Sequence, residues 1–198
     1  MIRLCFATNN ENKILEIRQI LGDEFRILSL NDINCHEEIP ENQPDLAGNS
    51  LQKARFIFDH YLTDCFADDT GLEVKALNGD PGVLSARYAG EQKDNKKNIK
   101  LLLKNLSNKT DRKARFRTVI TLIQEGEVHQ FDGIIDGKIS NELRGQQGFG
   151  YDPVFIPDGY SQTFAELGLA EKNKISHRGI AIRKLVRYLR NNKTSLNE

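Results

Sequence analysis

The run Cys65-Phe66-Ala67-Asp68-Asp69-Thr70-Gly71-Leu72-Glu73-Val74 constrains the fold more than any other stretch of the chain. An apolar segment ends in two adjacent carboxylates, a hydroxyl and a glycine, and a second apolar segment follows. The pattern predicts a strand that stops at Asp68, with a turn presenting acidic groups at its carboxyl end. In open α/β sheets ligands bind at that edge. Neighbouring strand residues point to opposite faces, so Asp68 and Asp69 do not share one task. One would hold a divalent cation or activate water while the other bonds the turn. Magnesium takes one or two carboxylates together with substrate phosphates. Asp, Thr and Gly are also common turn formers, so the run taken alone reads more readily as turn chemistry.

The flanking chain supplies context. Ile2 to Thr8 is strand-like, Asn9-Asn10-Glu11-Asn12 interrupts it, and Ile14, Ile17, Ile20 and Leu21 then recur at helical spacing, with Gly22 as a C-terminal stop. A strand-to-helix loop over Thr8–Lys13 offers free backbone N–H groups to anions, and Lys13 adds a cation. The glycines of a Walker loop are missing. Phe25 to Leu30 predicts a second strand. Asn31 to Gly48, with Pro40 and Pro44, predicts a long polar loop carrying Glu37, Glu38 and Glu41. Asn49 is expected to cap a helix with an apolar stripe of Leu51, Ala54, Phe58 and Tyr61. Lys53 lies off that stripe in the first turns, where a cation gains nothing from the helix dipole.

Further along, Asn95 to Leu106 predicts a helix. Ala114 to Ile123 and Glu127 to Ile135 predict a hairpin around Gln124-Glu125-Gly126, with Asp136-Gly137 turning the chain into another short strand. Antiparallel strands after α/β units indicate a mixed sheet. Gly145 to Pro153 interleaves three glycines with Phe149 and Tyr151. Such a loop displays a ring for stacking on a nucleobase, or anchors its rings in the core. Glu171 to Gly179 opens a final helix with Ser176 as its N-cap. It gathers Lys172, His177 and Arg178, donors suited to the acceptor atoms of a base.

Composition narrows the function classes. The 198 residues suit one domain, with room for two lobes. Lys+Arg and Asp+Glu are both 28, and a neutral chain lacks the basic face that broad nucleic-acid binding needs. No apolar run reaches the length of a membrane span, and the start lacks a signal-peptide layout. Cys5, Cys35 and Cys65 show no metal-type spacing and are expected as reduced thiols in the cytoplasm.

Six motifs occur in a fixed order: Ala-Thr-Asn-Asn-x-x-Lys (7–13), Ser-Leu-Gln-Lys-Ala (50–54), Ala-Asp-Asp-Thr-Gly-Leu (67–72), Gly-x-Pro-Gly-x-x-Ser-Ala-Arg-Tyr (79–88), Gly-Phe-Gly-Tyr-Asp-Pro (148–153) and Ser-His-Arg (176–178). Together they resemble the inosine triphosphate pyrophosphatase family over about Leu4 to Leu189. The resemblance implies an elongated mixed α/β fold, a twisted sheet flanked by helices. It implies two lobes around a central cleft in a single catalytic domain spanning 1–198, and a homodimer. It implies a cytoplasmic, magnesium-dependent hydrolase that releases pyrophosphate from ITP, dITP or XTP and leaves the monophosphate. Carried over by position, Thr8, Asn9, Asn10, Glu11, Asn12 and Lys13 would hold the triphosphate, with Lys53 nearby. Asp69 would be metal ligand and proton acceptor, joined at Mg2+ by Glu41 in preference to Glu38. Thr70 would touch substrate, Phe149, Gly150, Tyr151 and Asp152 would line the base and sugar site, and Lys172, His177 and Arg178 would read the base. Asn9 stands where members often carry glycine, so the phosphate loop is expected to differ in shape. The rival readings are a Maf-like pyrophosphatase acting on pyrimidine or modified nucleotides, a nucleotide sensor without turnover, and a nucleic-acid-binding protein.

Overall fold

Alternating strands and helices give way to a β-hairpin in the second half of the chain, and the elements follow that plan. A computed structural model describes residues 2–21 and 24–195. The elements are β1 (Ile2–Phe6), α1 (Glu11–Leu21), β2 (Phe25–Leu28), α2 (Leu46–Tyr61), β3 (Cys65–Val74), β4 (Pro81–Gly82), α3 (Asn95–Asn105), β5 (Lys113–Gln124), β6 (Glu127–Ile139), β7 (Phe155–Pro157), α4 (Leu169–Ile175) and α5 (His177–Ser195). The strands form one mixed sheet in the order β2-β1-β3-β5-β6-β7, with β4 paired to β3. This is the mixed α/β sheet expected from the sequence. Gly22, the expected stop of α1, lies outside the described residues.

The chain divides into two compact units. The first comprises Met1–Asp69, Thr118–Gly133 and Arg178–Glu198. Here β1 pairs in parallel with β2, Ile2 opposite Phe25, and with β3, Cys5 opposite Cys65 and Phe6 opposite Phe66. The two-residue alternation of a strand sorts its side chains cleanly. Leu4, Phe6 and Phe66 pack with Ile17 and Leu21 of α1 and Ile182, Leu185 and Leu189 of α5. Cys5, Ala7, Cys65 and Ala67 pack instead with Ala54 and Ile57 of α2. Phe6 and Phe66 stack with ring centroids 4.6 Å apart. Burying each such ring contributes about 1.5–3 kcal/mol.

Several expectations are corrected here. Strand β3 does not stop at Asp68 but runs unbroken from Cys65 to Val74, so the acidic pair lies within it. It is β1 that ends, at Phe6, and the last backbone bond on that side runs from Ala7 N to Phe66 O at 2.9 Å. The carboxylates therefore stand just past the carboxyl end of β1. Ladder bonds and packing on both faces outweigh the turn preference of Asp-Asp-Thr-Gly. Asn49 is not a cap either. Asp45 caps α2, accepting from Gly48 N at 2.7 Å, and Asn49 is buried one turn inside the helix. The buried face of α2 runs through Leu46, Asn49, Ser50, Lys53, Ala54 and Ile57; of the expected stripe Ala54 is buried and Phe58 and Tyr61 pack half-buried against the same cluster, and Lys53 sits beyond the first two turns.

The second unit comprises Thr70–Arg117 and Ile134–His177. Its core joins Leu72 and Val74 of β3, Ile99 and Leu102 of α3, Phe116 of β5, Phe155 of β7 and Phe164. Asp94 caps α3 through Lys96 N and Lys97 N, and Lys96, Lys97, Lys100 and Lys104 of that helix are exposed. The hairpin of β5 and β6 turns at Glu125 and Gly126, both at positive φ, the geometry that matches strand twist. Asp136-Gly137 is no turn, because β6 continues to Ile139 and pairs Gly137 with Pro157 of β7. Glycine is needed there for close approach: a Cβ would meet Ile156 O at 2.3 Å. Gly137→Ala should therefore destabilise the protein by about 1–3 kcal/mol, measured as a fall in the urea midpoint without a change in slope. The final helix is preceded by a separate helix, α4, and Ser176 lies between α4 and α5.

Candidate functional site

In the first unit the sequence delivers buried charges to both faces of β3. On one face Asp68, 1 % exposed, accepts from Lys13 Nζ at 2.8 Å and from Arg178 Nε at 3.1 Å. The Nη1 of Arg178 bonds Glu16 of α1. Lys13 projects from the first turn of α1. That turn is set by Asn10, whose Oδ1 accepts from Lys13 N at 3.3 Å, and by Thr8, whose Oγ1 accepts from Asn10 N at 3.2 Å. Asn9, Glu11 and Asn12 are exposed around the same helix start. The N–H groups of Asn10 and Lys13 are thus bonded within the turn, and Lys13 Nζ is paired with Asp68.

On the opposite face Asp69 meets α2. Its Oδ1 lies 3.5 Å from Lys53 Nζ, and its Oδ2 accepts from Asn49 Nδ2 at 3.1 Å. Lys53 also donates to Glu41 at 2.6 Å, so two carboxylates converge on one ammonium. Asn49 in turn accepts from Gln43 N at 2.8 Å, tying the loop that carries Glu41 to the helix that carries Lys53. Strand alternation thus divides the work as expected: Asp68 faces Lys13 and Arg178, and Asp69 faces Lys53 and Asn49. Of the loop glutamates, Glu41 is brought to Lys53, Glu37 accepts from Tyr61 on the surface, and Glu38 is exposed.

The two aspartates titrate in opposite directions. Burial alone would raise Asp68, but Lys13, then Arg178 and Lys53, outweigh it and hold its carboxyl well below the usual carboxylate range. Burial raises Asp69, and Lys53, Lys13 and the Asn49 bond only partly oppose it. Burial acts against the charge of Lys53, yet Asp69 and Glu41 win and keep it firmly protonated.

The second unit carries a different group. Asp152 Oδ2 accepts from Lys172 Nζ at 2.6 Å and from Phe149 N at 2.8 Å. Lys172 Nζ lies 5.1 Å from the centroid of the half-buried Phe149 ring. Gly148 is required at φ 76°, since a Cβ there would meet Asp152 Oδ2 at 2.0 Å. His177, also buried, stacks on Phe116 with centroids 4.5 Å apart. Tyr151 takes the core alternative of the two readings of its loop: it is 4 % exposed and donates to Ser85 O at 2.9 Å. Gly150 adopts φ 60° beside it, and Thr70 is half-buried next to Asp69 in β3. Lys172, His177, Phe149 and Asp152 therefore share one unit. Arg178, grouped with them from the sequence, directs Nε and Nη1 to the carboxylates of the first unit.

Sequence reasoning missed Glu16 and the part played by Asn49. The signal for Glu16 was a carboxylate beside Ile17 on the apolar side of α1, where it is 3 % exposed. Asn49 carried no such signal, because asparagine near a helix start reads first as a cap. The three thiols are free and buried in one core cluster, and burial pushes Cys5 up to about 12.

A parallel βαβ opening, buried carboxylates past the end of its first strand and a lysine-bearing helix start define a mixed α/β fold with a buried charged centre. Comparison with known proteins then fixes the family. The model of the Ham1 family matches residues 4–188, and the chain belongs to that family. A protein of Flavobacterium psychrophilum named dITP/XTP pyrophosphatase is 53 % identical over 190 residues, covering 96 % of this chain and all of its own. One of the same name from Porphyromonas gingivalis is 52 % identical over 190 residues, covering 96 % of this chain and 98 % of its own. Among solved structures, the Ham1 protein of Staphylococcus aureus superimposes with a TM-score of 0.88 at 35 % identity, over 96 % of this chain and 99 % of that one. A HAM1 protein of Coxiella burnetii gives 0.89 at 34 %, over 96 % and 100 %.

Proposed function

We propose that the chain hydrolyses purine nucleoside triphosphates bearing a non-standard base, ITP, dITP and XTP, to the monophosphate and pyrophosphate. The observation that carries this reading is the convergence of Asp69 and Glu41 on Lys53, beside a helix start that presents Lys13. Relatives more than half identical over nearly the whole chain are named dITP/XTP pyrophosphatase, which supports the same substrate class.

The donor set suits magnesium. It is all oxygen, and two carboxylates leave coordination positions for phosphate and water. Among the described residues no three His, Cys, Asp or Glu side chains cluster, so a caged structural metal does not fit. Asp69 and Glu41 would hold the ion, which when bound would neutralise phosphate oxygens and activate water. The chain's own groups do the rest. Lys13 and the N–H groups after Asn10 bind the phosphates, and Lys53 offsets charge on the departing pyrophosphate. Asp69 orients the water that attacks the α-phosphorus and takes its proton. Phosphoryl transfer depends mainly on such positioning and charge compensation. Phe149 offers a face for the purine, and Lys172 and His177 offer donors to keto oxygens. An adenine amino group facing such donors would leave buried polar groups unpaired, at about 1–3 kcal/mol each.

Phosphate release from a panel of triphosphates, with inorganic pyrophosphatase added, tests the reading. Release from dITP with magnesium and none with EDTA is expected. A preference for pyrimidine nucleotides would point to the Maf-like alternative, and binding without turnover to a sensor. The reading also carries a cytoplasmic homodimer, which sedimentation of the purified protein and fractionation of the source cells would check.

Asn49 has a defined part in it. Asn49→Asp keeps the volume and the acceptor for Gln43 N but replaces the donor to Asp69 with a second carboxylate. We expect kcat/KM for dITP to fall about 10- to 100-fold, while melting with and without magnesium shows a folded protein. An unchanged kcat/KM would mean that the Asn49–Asp69 bond is only structural.

A further inference from the structure

The second unit holds a cavity of about 760 Å³ that the proposed reaction does not use. It is lined by the segment before β5, the end of β6 and the residues that follow, and by Ile156 of β7. Its size falls within the range of small-molecule sites. Four cations line it, Arg112, Lys113, Lys138 and Arg144, against two carboxylates, Asp111 and Glu142.

The placement of those cations is unusual. Ile139 N donates to Arg112 O at 2.9 Å, which sets the register of the antiparallel pair. One step along, Lys113 and Lys138 stand directly opposite each other, both exposed. Like charges facing across a ladder are destabilising. Among the described residues neither lysine has a carboxylate within ion-pair distance. Arg112 is held by carbonyl oxygens alone: Nε to Ile139 O at 2.7 Å, Nη2 to Ser140 O at 2.6 Å and Nη1 to Leu106 O at 3.3 Å. Among the described residues it has no carboxylate partner at ion-pair distance. Arg144 gives Nη2 to Ser161 O and Glu166, but its Nε is buried and has no hydrogen-bond partner among the described residues. Asp111 accepts from Lys113 N through Oδ1 and lies 3.9 Å from Lys75.

We infer that this cavity is a second anion site, separate from the Asp69 centre, that takes a small polyphosphate-bearing molecule. Two opposed lysines suit an anion with several charged oxygens better than a single carboxylate. A planar guanidinium fixed by its own carbonyls is already oriented for the contact, so little ordering is needed on binding.

The test uses the whole protein, labelled with 15N and freed of divalent cations, titrated with inorganic tripolyphosphate at low salt. Amide shifts at residues 110–113 and 138–144 should saturate as a set. In Lys113→Gln/Lys138→Gln that set should bind about tenfold more weakly, while shifts over residues 8–13 and the turnover of dITP stay as in the parent. Both lysines are exposed, so the double variant is expected to fold, and its melting curve checks this. Absence of shifts at 110–113 and 138–144, or unchanged affinity in the double variant, would overturn the assignment. So would a glutamate hexapeptide that moves the same amides at lower concentration than tripolyphosphate. Because dITP turnover is read separately, the site can fail while the proposed reaction stands, and the reverse.

Discussion

Asp69→Asn should lower kcat for dITP by about 10²- to 10⁴-fold while leaving a folded protein that still binds nucleotide. The substitution keeps the volume of a side chain that is 9 % exposed in mid-strand. Lys53 retains Glu41 at 2.6 Å, so no lone ammonium is left buried. The new amide can turn an oxygen toward Asn49 Nδ2. Burial already works against the charged form of Asp69, so losing that charge recovers part of the desolvation cost. The change in stability should stay within about 1 kcal/mol. Catalysis and folding are thereby separated: a large fall in kcat with a near-normal melting temperature marks Asp69 as the group that acts on water. Turnover close to that of the parent would remove it from the mechanism.

Arg178→Ala should have the largest effect on stability, about 3–5 kcal/mol, or roughly 10 °C in melting temperature for a chain of this length. Arg178 is 2 % exposed and links Glu16 to Asp68. Truncation leaves two buried carboxylates with one fewer cation, and Lys13 reaches only Asp68. The pH dependence has a definite sign. The folded pKa of Asp68 lies below its unfolded value, so its contribution is complete above the ordinary carboxylate range and is lost as pH falls through the folded value. Removing Arg178 shrinks that depression, so the stability lost on acidification should be smaller and complete at a higher pH than in the parent. Urea unfolding at several pH values measures both quantities. If Arg178→Ala instead melted normally and lost its preference for dITP over dATP, the guanidinium would belong to purine recognition and not to the ion pairs.

Much of this was legible in the sequence because it depends on neighbours along the chain. The spacing of Ile14, Ile17 and Leu21 fixed a helix after the first strand, and Glu125-Gly126 marked a tight hairpin. The two-residue period of a strand assigned Asp68 and Asp69 to different faces before any partner was known. The errors have a common cause. Asp-Asp-Thr-Gly looks like a turn until neighbouring strands and packed helices hold it extended. Asn49 looks like a cap until Asp45 takes that place and a carboxylate arrives from β3. Gly137 looks like a turn residue until β7 is found too close for any side chain.

By itself the sequence determined the order of elements, the mixed sheet, the ordered motifs and the faces on which the acidic pair must lie, since these follow from local periodicity and turn chemistry. Tertiary structure alone decided which charges meet. Arg178 and Glu16 are 162 positions apart, and Lys13 and Asp68 are 55 apart. Charges so distant along the chain come together, out of water, only when packing of the apolar faces has fixed the helices against the strands.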